Sequence, residues 1–134
     1  MLARNYYYPA IFHVADEGGF WVSFPDFPEC MTQGNDLDDA YKMAVEAMGL
    51  CIDEKLKNNE DLPKASIPTD FVIERDDFSC LIEFDYIQYK KIHSGKAVKK
   101  TLSIPEWLNE AAISNEINFS QVLQEALMQK LGIN

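Results

Sequence analysis

Lys99, Thr101 and Ser103 alternate with apolar residues in the stretch VKKTLSIP, residues 98–105. A period of two puts these three polar side chains on one face of a strand. Leu102 and Ile104 lie on the other face, with Val98 and the aliphatic stem of Lys100. Lysine donates hydrogen bonds, and threonine and serine both donate and accept, so a row of the three can read the edges of nucleic-acid bases. A second set with chemical potential is carboxylate: Asp16, Glu17, Asp26 and Glu29. Converged on a divalent cation, such groups would serve phosphodiester hydrolysis. Asp16 and Glu17, however, fall in a turn rich in Asp and Gly, and Asp26 ends a strand. His13 has no second His or Cys at metal-ligand spacing. The residue types thus point to binding, with no metal, cofactor or catalytic residue expected.

The polar strand needs elements around it. Pro105 suits the first turn of a helix, where its missing N–H costs nothing, and Glu106 complements the positive helix end. Trp107, Leu108, Ala111 and Ala112 give that helix an apolar side. SNEIN, residues 114–118, reads as a turn, and Ser120 as the N-cap of a second helix. Phe119, Val122, Leu123, Ala126, Leu127 and Leu131 form the second apolar side, and Gly132 ends it. One strand and two helices in about 37 residues leave an unpaired strand edge and more apolar surface than they can bury. A second copy resolves both. Two strands pair antiparallel about a two-fold axis, and four helices close over the apolar side through Leu102, Ile104, Leu108, Leu123 and Leu127. The other side then presents Lys99, Thr101 and Ser103 twice, on a ribbon that fits the DNA major groove. The amides at the start of the second helix, near Phe119 and Ser120, can clamp a phosphate. The other reading of the ribbon is dimerisation alone.

The first part of the chain reads differently. Tyr6 to Val14 alternates as a strand, residues 15–19 (ADEGG) turn, and Phe20, Val22 and Phe24 alternate with Trp21 and Ser23, which predicts a hairpin. PDFP, residues 25–28, stops the second strand because proline cannot donate to a ladder. Residues 30–33 suit a third short strand. Asp36 caps a helix that runs to about Asn58, its apolar face formed by Leu37, Ala40, Tyr41, Ala44, Ala47, Met48 and Cys51. A polar, proline-bearing loop follows to Asp70, then a short strand at Phe71–Ile73, a turn at Asp76–Asp77 and a longer strand from Phe78 to Tyr86. This is α+β: one helix on a mostly antiparallel sheet. The expected organisation is residues 1–89 as one domain, 90–97 as a linker and 98–134 as the strand–helix–helix domain.

The chain has 134 residues and a net charge of −10. Residues 1–96 hold 9 Lys+Arg against 18 Asp+Glu, and residues 97–134 hold 3 against 4. An acidic module beside a nearly neutral one suggests two partners. No apolar run has the length of a membrane span, and residues 1–14 make a poor leader peptide. Three separated cysteines, Cys30, Cys51 and Cys80, read as small hydrophobes of a reducing cytoplasm.

Two resemblances sharpen these expectations. TLSIPEWL and NFSQVLQEAL make residues 97–132 similar to a ribbon-helix-helix DNA-binding domain, although this segment has no arginine and only three lysines. FWVSFPDFPECMTQGNDLDDAYKMAVEAM resembles the N-terminal domain of HicB antitoxins, which implies a reduced ribonuclease-H-like sheet. The resemblance further implies a cytoplasmic antitoxin, nucleoid-associated when on DNA, that binds a small basic HicA-like ribonuclease, with operator DNA as the second partner. Trp21, Asp26, Phe27 and Glu29 are the residues expected to meet the toxin. Trp21 reads somewhat more readily as part of a second core face, and the PDFP turn with Glu29 reads equally as the close of the strand. The other readings are a dimeric regulator whose N-terminal domain senses a small ligand, and a metal-dependent nuclease.

Overall fold

The structure is a computed structural model that describes residues 5–133. Residues 1–4, part of the stretch read as a poor leader, lie outside that range. The chain separates into two compact units, one ending at Gly95 and one starting at Lys96.

The first unit is a four-stranded antiparallel sheet with a long helix on one face. Its strands β1 (Asn5–Val14), β2 (Phe20–Ser23), β3 (Met31–Gly34) and β4 (Phe78–Asp85) stand in the order β3-β2-β1-β4. The β1–β2 turn closes through Gly18 and Gly19 at φ of 96° and 76°, a region that only glycine enters without strain. Pro9 sits within β1, where β4 is the sole neighbour because β2 pairs only from Ile11 onward, so a missing N–H is tolerated.

Helix α1 (Leu37–Lys57) begins where the sequence places it. The Asp36 side chain accepts from the Asp39 amide at 2.8 Å, and Asp39 accepts in return from the Asn35 amide. Ala40, Ala44, Met48 and Ile52, four residues apart, are fully buried against the sheet. The alanines and Gly49 let the helix approach closely: a methyl group on Gly49 would fall 2.4 Å from the Phe84 ring. Opposite them, Phe12, Val22, Ile82 and Phe84 point inward, and Phe24 and Phe27 complete the core. Each such side chain contributes roughly 1.5–3 kcal/mol on burial.

Three expectations are corrected. Residues 71–73 form no strand; they follow a 3-10 turn at Pro68–Asp70, and Val72 is fully exposed with nothing to pair against. Tyr86 does not end β4 but begins helix α2 (Tyr86–His93), capped by the Asp85 carboxylate on the Gln88 amide at 3.0 Å. Residues 90–93, expected in a linker, are therefore helical. The cause is a polar anchor. Tyr86 donates to buried Asp53 of α1 at 3.1 Å, Tyr89 lies at 3.5 Å, and Lys57 and Lys90 pair with the same carboxylate.

The second unit holds helices α3 (Glu106–Ser114) and α4 (Phe119–Leu131). Asn118, not Ser120, caps α4, accepting from the Gln121 amide at 3.1 Å, because the helix starts two residues earlier than expected. Gly132 ends it at φ 70°. Residues 98–104 carry no strand within the single chain, since a strand is defined by pairing and they pair with no segment among the described residues.

Candidate functional site

On the sheet face opposite α1, β1 and β2 bring His13, Trp21 and Ser23 together. The Trp21 and His13 rings stack at 3.6 Å between centroids. Asp77, arriving on the long loop before β4, accepts from His13 Nδ1 at 3.0 Å and from the Val14 amide at 2.9 Å. The Val14 amide and then His13 hold its carboxyl below the ordinary range. The Ser23 hydroxyl closes the other side of the imidazole at 2.8 Å. The array fixes the indole, which stays 38% exposed. Sequence reasoning placed His13 as structural but could not see Asp77, 64 residues away, as its partner.

The four residues expected to meet a toxin separate. Trp21 and Glu29 are on the surface, Glu29 with Lys55 at 3.7 Å. Phe27 is fully buried, edge-on to Tyr8 at 4.7 Å, so it belongs to the core and offers no surface to a partner. Asp26 uses both carboxylate oxygens on Ser66, at 2.9 Å to the amide and 2.7 Å to the hydroxyl, and thereby ties the long loop to the end of β2. Its role here is structural.

Trp21 also borders a cleft of about 760 Å³ between the β1–β2 turn and the start of α1, where Asp16, Glu17 and Asp39 lie. Among the described residues no three His, Cys, Asp or Glu side chains are grouped to hold a metal ion. Cys30, Cys51 and Cys80 are free thiols. Burial, with Cys51 beside it, pushes the Cys30 thiol well above the usual range.

The second unit presents a different surface. Lys99, Thr101 and Ser103 are exposed, as are Phe119 and Ser120 at the start of α4. Leu102, Ile104, Leu108, Phe119, Val122 and Leu123 line an apolar groove of about 650 Å³. No described residue from Lys96 onward is buried, and Trp107 is 70% exposed. Leu102, Ile104, Leu108 and Leu127 are all exposed, and Leu123 is half-buried.

The family model described as "HicB_like antitoxin of bacterial toxin-antitoxin system" matches residues 8–126. The chain is 37% identical over 62 residues to Antitoxin HicB 1 of Photorhabdus laumondii, which covers 46% of this chain and 40% of the relative. It thus spans less than half of that protein's length. Among solved structures, a chain of a toxin–antitoxin complex from Streptococcus pneumoniae superposes with a TM-score of 0.57 at 28% identity, covering 94% of this chain and 99% of that one. A chain of the HicA3 and HicB3 toxin–antitoxin complex superposes with a TM-score of 0.50 at 26% identity, covering 60% and 99%.

Proposed function

We propose that this chain, which belongs to the HicB_like antitoxin family of bacterial toxin–antitoxin systems, binds a small, basic, HicA-like ribonuclease through its first unit and represses its own operon through its second. The first unit inhibits without chemistry of its own, by occupying the toxin's nucleic-acid surface with acidic surface. Opposite fields speed such an encounter and select the partner. Trp21 and Glu29 are the contacts kept from the sequence reading. The second unit pairs with a second copy through residues 98–104 to form a ribbon, and Lys99, Thr101 and Ser103 read operator bases while the α4 amides hold a phosphate. The work is done in the bacterial cytoplasm and on the nucleoid.

One observation carries this reading: the two units differ in what they leave exposed. The first has its own core and an acidic surface. The second has no fully buried residue among those described, and it offers Leu102, Ile104 and Leu108 in an open groove beside residues 98–104, which pair with no described segment of the chain. Its apolar surface calls for a second copy. Similarity to chains from two toxin–antitoxin complexes supports the toxin partner. The test is co-expression with the adjacent open reading frame. Rescue of growth and a co-purified complex are expected; a toxic neighbour that is neither neutralised nor bound would refute the reading.

A further inference from the structure

Around the cleft beside Trp21 every charge has the same sign. Its charged lining residues are Asp16, Glu17 and Asp39, with no lysine or arginine among the lining residues. Elsewhere in the first unit carboxylates meet cations: Asp38 holds Lys42 at 2.9 Å, Glu29 holds Lys55 at 3.7 Å, and Asp53 holds Lys57 and Lys90. Asp39 uses one oxygen on the Asn35 amide at 2.8 Å. Asp16 and Glu17 are exposed, and among the described residues no hydrogen bond or ion pair engages either carboxylate. The apolar lining is uncovered too: Val14 is 48% exposed, and Met43 and Trp21 are 38% exposed. His13 covers one face of the indole and does not line the cleft, so the cleft meets the indole on its free side. The surface is thus an apolar patch with a fixed aromatic at its side and carboxylates on its rim.

We infer that this surface receives an arginine of the basic toxin, its guanidinium laid on the free side of Trp21 and held by Asp16 and Glu17, an inference that rests on the toxin-binding reading above. Charge selects the occupant. Nucleic acid is repelled, and so is a second copy of residues 1–96, with 18 Asp+Glu against 9 Lys+Arg. The aromatic wall selects further. A guanidinium is planar, stacks on an indole and offers a fork of donors to carboxylates, whereas a lysine ammonium is a compact, strongly hydrated point charge. Val14 and Met43 cover the aliphatic stem that leads to the guanidinium. The same fork that holds a carboxylate holds a phosphate. An arginine seated here is therefore withdrawn from RNA, and the cleft inhibits by taking the place of a phosphodiester group.

The test uses the full chain and the protein encoded by the adjacent open reading frame, titrated at roughly 150 mM salt. Asp16→Asn with Glu17→Gln should weaken binding on the order of tenfold. Glu60→Gln with Asp61→Asn removes the same two charges from exposed positions beyond the far end of α1, a helix of 21 residues and about 30 Å. That pair should change affinity less than about twofold, since charges so far apart are screened. The toxin's arginines are then replaced one at a time by glutamine. One of them should lose most of its effect when the antitoxin carries Trp21→Ala or the Asp16–Glu17 pair, which assigns it to the cleft. Equal losses from the two antitoxin pairs, or no toxin arginine coupled to Trp21, overturn the inference while toxin binding itself stands. A changed self-association in sedimentation, with toxin affinity unaltered, makes the occupant a second copy and overturns it as well. If the unaltered chain does not bind the neighbour, the toxin-binding reading fails and the inference falls with it.

Discussion

The Trp21 indole lies on the His13 imidazole at 3.6 Å and 11° from parallel. Both imidazole nitrogens are engaged, by Asp77 at 3.0 Å and Ser23 at 2.8 Å. A half-exposed aromatic held in this way loses little conformational freedom when a partner covers it, which is how an interface anchor gains affinity. Trp21→Ala should weaken toxin binding by about 2 kcal/mol or more, roughly 30-fold. Calorimetric titration measures it, and a change below about threefold would remove Trp21 from the interface.

Replacing Lys99, Thr101 and Ser103 together with alanine should abolish operator binding and leave the dimer and toxin inhibition intact. Each lost base contact costs roughly 1–3 kcal/mol and occurs twice in a dimer. Unchanged binding in a salt-controlled shift assay would refute the ribbon assignment.

Deleting residues 97–134 should remove DNA binding and weaken dimerisation while toxin capture persists. The first unit has its core without them. Loss of toxin co-purification from the truncated protein would show that the roles are not divided this way.

Asp53 and Tyr86 predict both limbs of a pH–stability profile. Burial raises the Asp53 carboxyl, but Lys57 and the Tyr86 hydroxyl outweigh it and hold the group below its ordinary 3.8. Its contribution is present above that value and lost as pH falls through the lower folded value. Burial and then Asp53 push the Tyr86 hydroxyl up from 10.0 to about 12. Its contribution is full below pH 10 and drains away as pH rises toward 12. Asp53→Asn should cost about 1–3 kcal/mol near neutral pH by weakening the network around the buried phenol. In thermal melts across pH, it should flatten the acid limb, and Tyr86→Phe should flatten the alkaline one.

Gly34→Ala should destabilise the first unit by about 1–3 kcal/mol, because a methyl group would meet backbone it cannot push aside. It would fall 2.3 Å from the Ala40 nitrogen and 2.4 Å from its Cα. Urea unfolding checks this; a midpoint equal to that of the unaltered chain would contradict it.

Local signals in the sequence located most elements. The alternation of Tyr6 to Val14 and of Phe20 to Phe24 found the hairpin, and Asp36 with the alanine spacing found α1 within a residue. Alternation misled at Tyr86, because Phe84 and Tyr86 are both buried although the backbone changes to helix between them. The helical spacing of Tyr86, Tyr89 and Lys90 was the available signal. Phe71–Ile73 had strand-like composition but no partner. Phe27 looked like a surface contact because prolines and carboxylates flank it, whereas its ring fills the space under Tyr8. The Asp77–His13 and Ser66–Asp26 bonds span 64 and 40 residues, and no local pattern encodes such pairings.

The eight-pair register between β1 and β4, from Asn5↔Asp85 to Phe12↔Phe78, joins the two ends of the first unit. A ribosome adding about 5–20 residues per second makes β1 roughly 4–15 s before the last of β4. Until then β1 has only the β2 hairpin beside it, and Ile82 and Phe84 are missing from the core. The sheet of the first unit therefore closes only after Asp85 has been added. A chain stalled between α1 and β4 carries a three-stranded sheet with β1 as an open edge, a template for pairing with another chain.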